Sequence, residues 1–197
     1  MSEEKGISSE GVDEARIERA VREILFAIGE DPDREGLIRT PKRVAASYAE
    51  LFAGMREDPR RHLHVTFNEH HREMVVLRDI PFASMCEHHL LPFTGRAHVG
   101  YIPNGRVVGL SKLARLIEGY ARRPQVQERL TSEIANALVE ELNPTGCGVM
   151  IEASHSCMTI RGIQKAGATM VTSAMRGSFR ARAETRAEFM AIIHDGN

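Results

Sequence analysis

Cys86, Glu87, His88 and His89 stand in one run, and His155 and Cys157 follow about seventy residues later. Cys86 and His89 have the C-x-x-H spacing of metal ligands, and Cys157 offers a second thiolate. Two Cys and one His make a three-ligand zinc set that leaves the fourth tetrahedral position open for water or substrate. Structural zinc sites are normally closed by four protein ligands, so an open set with spare histidines beside it points to hydrolytic chemistry. The two thiolates favour Zn2+ over harder ions. Only one of the adjacent histidines suits the spacing. His89 is therefore the expected ligand, and His88 is left for proton transfer, substrate contact or a supporting hydrogen bond. Glu87 has two readings at this stage: a partner that holds a ligand histidine in one tautomer, or a solvated carboxylate.

The stretch 146–157 reads as a strand. Residues two apart on a strand face the same way, so His155 is expected on the side of Cys157 and close to the metal. Cys147 lies on the same predicted strand, but at about 3.3 Å per residue it is roughly 30 Å away and is assigned to the core. Anion capture has its own candidates. Ser111 is expected to cap a helix that carries Lys112 and Arg115 on one face, and helix N-termini favour phosphate. The chain has no G-x-x-x-x-G-K-[ST] loop, so this is not a Walker site. Arg161, four residues after Cys157, is placed to meet a phosphate beside the metal. Gln127 and Glu128 open the next helix. A carboxylate there complements the helix dipole or accepts hydrogen bonds from the N–H edge of a guanine, and both remain open.

These groups must be held by a frame, and the hydrophobic periods predict one. Asp13 caps a first helix with the stripe Ile17, Val21, Ile24 and Ile28, and Thr40-Pro41 opens a second that stops at Gly54. Residues 73–80 and 95–102 read as strands, with Cys86 to His89 in a loop or short turn between them. Pro103-Asn104-Gly105 is a hairpin turn leading into Val107 and Val108. Helices follow at 111–123 and from after Pro124 to Leu142, the latter with Val126, Leu130, Ile134 and Leu138 at i,i+4 spacing. A strand at 168–174 then pairs with 146–157, and a helix at 183–193 closes the chain. The order gives an α+β class with an antiparallel sheet. Residues 1–12 read as a flexible arm and 13–197 as one domain, its helical part at about 13–62 and its core at about 63–197.

Composition narrows the partners. A length of 197 residues suits one domain with a sizeable core. The formal net charge of -1 argues against a protein that coats nucleic acid or an anionic membrane, and the absence of Trp argues against base-stacking platforms. There is neither a secretory signal nor an apolar run of membrane-spanning length. Three cysteines, widely spread, do not make a disulfide framework, so a reduced cytoplasmic setting is expected.

The run CEHHLLPFTGRAHVGYIPNGRVVGLSKLARLIEGYARRPQVQERLT, followed by SHSCMTIRGIQK, closely resembles the GTP cyclohydrolase I family, and the likeness extends from about Thr40 to the C-terminus. The resemblance implies a tunnelling fold and a homodecamer with active sites at subunit interfaces. It also implies Zn2+-dependent hydrolysis of GTP at guanine C8, formate release and rearrangement to 7,8-dihydroneopterin triphosphate. It places Cys86, His89 and Cys157 as zinc ligands and His88 and His155 as catalytic histidines. Glu128, with Gln127 beside it, becomes the guanine reader. Ser111, Lys112, Arg115 and Arg161 form the triphosphate pocket, with Arg43 of TPKRVA a further phosphate ligand. Ala46 departs from members that carry a lysine there. Two other readings compete: a different tunnelling-fold purine or pterin enzyme, and a zinc-stabilised binding protein without turnover.

Overall fold

The structure is a computed structural model that describes residues 11–194. The predicted arm lies outside the described residues except for Gly11 and Val12. Helix α1 (Glu14–Ala27) starts where expected, with the Asp13 side chain accepting from the Arg16 N–H at 2.9 Å. Helix α2 (Thr40–Leu51) packs against α1. Thr40 and Pro41 open α2 as expected, but Thr40 lies inside the helix and Arg39 occupies the cap without a side-chain bond. Two 3-10 segments, Ala53–Arg56 and Pro59–His64, lead to β1 (Thr66–Asn68).

Strand β2 (Val75–Cys86) is longer than its pattern predicted and delivers Cys86 at its end. The alternation was hidden by Asp79 and Pro81. A register shift between Leu77 and Ile80 absorbs them, with Asp79 in the left-handed region at φ 56°. On its outer side β2 pairs only at Met85 and Cys86, so Pro81 falls on free edge, where a missing N–H is tolerated. Strand β3 (Pro92–Ile102) runs antiparallel to β2 and also pairs with β6 (Gly146–His155), which in turn pairs with β7 (Met170–Gly177).

The expected hairpin across Pro103-Asn104-Gly105 does not form. Both edges of β3 are already taken, so β4 (Arg106–Val108) turns away and pairs with β1 in a separate two-stranded sheet. Helix α3 (Leu110–Ala121) follows, then β5 (Pro124–Gln125), which pairs in parallel with the end of β2. Helix α4 (Gln127–Leu142) ends at Asn143 in the left-handed conformation. The main sheet has the order β5-β2-β3-β6-β7. Four antiparallel strands with two helices inserted between the hairpins make an α+β tunnelling fold, as expected.

Helices α3 and α4 cover one face of the sheet. Leu113, Leu116, Leu130, Ile134 and Leu138 are fully buried there, as the i,i+4 stripe required. Helix α6 (Ser178–Ala181), after the short α5 (Ser156–Thr159), and helix α7 (Ala183–His194) cover the other face with Phe179, Phe189 and Ile193. With both faces covered, β6 is buried continuously from Gly146 to Ile151 instead of alternating. Gly100 and Gly148 sit directly opposite each other, and a Cβ on either would come within 2.8 Å of the Phe179 or Phe189 ring. Among the described residues, no helix is long and apolar enough to cross a membrane.

Candidate active site

The end of β2, the turn after it and the end of β6 meet at one end of the sheet. Cys86 is the last residue of β2, and its N–H and C=O close the turn by bonding Leu91 O at 2.9 Å and the Leu90 N–H at 2.8 Å. Leu90 completes the turn at φ 50°. His89 thereby folds back, with Nδ1 3.9 Å from Cys86 Sγ. Cys157 arrives from the first turn of α5. It is not on the strand, so the two-apart argument that tied it to His155 is corrected: β6 ends at His155 and the chain coils immediately after. The outcome for the metal set is the same. One ligand atom each from Cys86, His89 and Cys157 lies within 4.8 Å of the others, a group able to hold a metal ion. Around a tetrahedral ion with Zn–S of about 2.3 Å, ligand atoms stand roughly 3.5 Å apart, so a small contraction closes the trio. Burial, with the Cys86 thiol beside it, pushes the Cys157 thiol above its usual value. Cys147 is remote from this group. It is buried against Ala135 O, and burial pushes its thiol up to about 12, as befits a core residue.

His155 is held from two sides. Its ring stacks on Phe93, with centroids 4.6 Å apart and planes 4° from parallel. Its Nε2 lies 2.9 Å from Gln127 Oε1. Gln127 is buried and its Nε2 donates to Ile151 O and Met170 O, both at 3.0 Å, so its amide can only turn its oxygen toward the histidine. Neutral His155 therefore carries its proton on Nε2 and leaves Nδ1 as the open nitrogen. Burial lowers the His155 pKa, and the nearby Glu128 carboxylate works against that shift. Glu128 itself is exposed in the first turn of α4. The Arg161 guanidinium donates to His89 Nε2 at 3.4 Å, which places a cation at the metal cluster. His88 points outward, with its side chain 64% exposed and Nε2 3.8 Å from Glu87 Oε1.

The other predicted anion ligands lie elsewhere in the chain. Helix α3 begins beside Tyr101, whose hydroxyl accepts from the Val108 N–H, and ends at Ala121, whose carbonyl accepts from Ser84 near the metal end. At 1.5 Å per residue, Lys112 lies about 14 Å and Arg115 about 9 Å along the axis from Ala121, and both stand near His62, whereas the cation recorded against the trio is Arg161. Ser111 is not the cap either. Gly109 holds that position, and no side-chain bond closes it. Arg43 is exposed on α2. Sequence reasoning missed His62, which faces Lys112 and Arg115, as well as Phe93 and Arg129. Their contacts cross elements, and no spacing rule could have found them.

A metal set with room for one more ligand, next to a histidine held in one tautomer, is the equipment of a metal-dependent enzyme on a tunnelling fold. Known proteins narrow this further. The profile of the GTP cyclohydrolase I family matches residues 17–194. GTP cyclohydrolase 1 of Carboxydothermus hydrogenoformans is 63% identical over 92% of this chain and 95% of its own length. Those of Rhodopirellula baltica and Thermobifida fusca are each 60% identical, over 93% and 95% of this chain and 80% and 92% of their own. A solved archaeosine synthase QueF-like protein in its apo form is similar over 53% of this chain, at 19% identity and a TM-score of 0.45. The chain belongs to the GTP cyclohydrolase I family of enzymes.

Proposed function

We propose that this chain hydrolyses GTP at guanine C8, releases formate and forms 7,8-dihydroneopterin triphosphate, using zinc held by Cys86, His89 and Cys157. The observation that carries the reading is the convergence of those three ligands within 4.8 Å of one another in a chain of this family. Zinc held there would supply a water ionised near neutral pH and a Lewis acid for the purine. The chain's own residues do the rest. His155, with Nε2 committed to Gln127, presents Nδ1 to the ring nitrogen beside C8 and exchanges the proton that opens the imidazole ring. His88 serves later proton transfers as the sugar rearranges. Glu128 accepts from the N–H edge of the guanine, and Arg161 meets the triphosphate near the metal. Gln127 acts through His155, its amide being fully occupied.

Ser111, Lys112, Arg115 and Arg43 complete the triphosphate pocket from neighbouring copies. Two features support an assembly, for which we propose a decamer. The outer edge of β7 and most of the outer edge of β2 lack partners among the described residues. The α1–α2 pair also leaves Ile24, Phe26, Ile28 and Ile38 exposed. A reduced, cytoplasmic setting fits three free cysteines of which two are metal ligands. The test is to incubate the zinc-loaded protein with GTP and follow the pterin chromophore. Chelator-sensitive formation of dihydroneopterin triphosphate supports the reading, and zinc-loaded protein that leaves GTP intact refutes it.

A further inference from the structure

The run of contacts behind Glu87 is not used by the chemistry described so far. Glu87 is gripped twice from one neighbourhood. Its N–H donates to Gln125 O at 3.0 Å, and its Oε2 accepts from Arg129 Nη2. Arg129 is itself fixed, its Nε donating to Gln125 Oε1 at 3.0 Å. Gln125 is buried and spends its own amide donors on Tyr120 O at 3.0 Å and Glu133 Oε2 at 2.8 Å. The path thus runs from Glu133 on α4, through Gln125 and Arg129, to Glu87 and on to His88, which faces the other Glu87 oxygen at 3.8 Å.

We infer that Arg129 is a positioning residue for His88, acting through Glu87. Three observations carry this. First, Cys86 and His89 are already set by the backbone bonds of the turn, so the clamp is not needed to form the metal trio. Second, the Arg129–Glu87 pair is 43% and 34% exposed, and an ion pair so open to water adds little to fold stability. Its order serves something else. Third, the two acceptors, an amide oxygen and a carboxylate, need the fixed planar fork of a guanidinium, which the single ammonium of lysine does not provide. Without the clamp, Glu87 is free to rotate into solvent, and His88, 64% exposed, loses the carboxylate that its Nε2 faces at 3.8 Å, close enough to pair when the imidazole takes a proton.

The inference rests on the GTP reading above, and its test separates the two. Arg129→Met, Arg129→Lys, Glu87→Gln and the Glu87→Gln/Arg129→Met pair are compared in the full-length, zinc-loaded protein. For Arg129→Met, kcat with GTP is expected to fall about 10- to 100-fold, the usual cost of losing an orienting partner. KM and zinc affinity by chelator competition should each stay within about threefold. The double variant should be no worse than the worse single one, and Arg129→Lys should recover only part of the loss. A crystal structure of zinc-loaded Arg129→Met should show the His88 ring displaced, with Cys86, His89 and Cys157 in place. Wild-type kcat in Arg129→Met, or a loss that merely tracks loss of zinc, overturns the inference. If the wild-type protein itself leaves GTP intact, the GTP reading fails, while the crystal structure and chelator measurements still decide the role of Arg129.

Discussion

The two ends of helix α3 make an instructive pair. At its C-terminal end the chain assembles a nearly finished chemical centre from β2, β3, β6, α4 and α5. At its N-terminal end it presents Ser111, Lys112 and Arg115, the last two beside His62. The metal end is built by main-chain turns and buried amides, whose hydrogen bonds leave the side chains little freedom. The other end, proposed above for phosphate, carries long cationic side chains on an open helix, which could adapt to a flexible triphosphate. On the function proposed above, bond making is tied to a rigid frame and substrate capture to a surface that another copy would bring up. A 1 Å error at the first end is costly, whereas at the second it is absorbed by side-chain rotation.

Substitutions at each end put this contrast to the test. Cys157→Ala takes a ligand from the metal end and is expected to abolish both zinc retention and turnover; full activity with zinc still bound would remove Cys157 from the centre. His155→Ala should keep its zinc yet lose about 10²- to 10⁴-fold in ring opening, the usual range for a positioned acid-base group. Normal turnover in that variant would assign the proton to another residue. At the phosphate end, Lys112→Ala should act mainly on KM, by roughly tenfold, with kcat less affected, because it removes binding remote from the reacting carbon. An equal fall in kcat would mean that the two ends are more tightly coupled than their separation suggests. Mixing unfolded Cys86→Ala chains with Lys112→Glu/Arg115→Glu chains, whose double charge reversal is expected to abolish turnover by itself, and refolding them together should restore up to about a quarter of wild-type activity if each site draws on two copies. No recovery would place both ends in one copy.

The smallest effect expected concerns neither end. His98 is buried in the sheet, accepting from the Asp79 N–H at 3.3 Å, and faces Asp79, Arg96, Glu152 and His194. Burial lowers its pKa below the usual 6.5, with Asp79 and Glu152 opposing. A group whose folded pKa is depressed takes its proton more readily in the unfolded chain. Its contribution to stability is therefore intact above about pH 6.5 and is lost as pH falls below that value toward the folded pKa. Denaturant midpoints should fall more steeply between pH 7 and 5 in the wild type than in His98→Gln. Parallel slopes would show that His98 is proton-neutral to folding.

Much of this was legible in the residues themselves. Thiolate and imidazole spacing identified the metal trio, because ligand chemistry needs few residue types and short-range geometry. The α4 stripe and the order of helices and strands were equally plain, since burial imposes a period on each element. What could not be read was set by pairing at a distance. Val107 and Val108 look like the return strand of a hairpin, and only the occupied edges of β3 send them to β1. Pro81 and Asp79 masked half of β2, because a bulge is invisible to an alternation rule. Cys157 was placed on a strand because nothing local announces the coil that begins at Ser156.

One last consequence follows from the paired glycines of β3 and β6. Gly100 and Gly148 leave bare main chain beneath Phe179 and Phe189, so the C-terminal helices are seated on an absence of side chains. In a saturation scan these two positions should tolerate almost nothing, alanine included. The phenotype should be local: earlier proteolytic cutting around residues 178–194, with the zinc-binding end still protected.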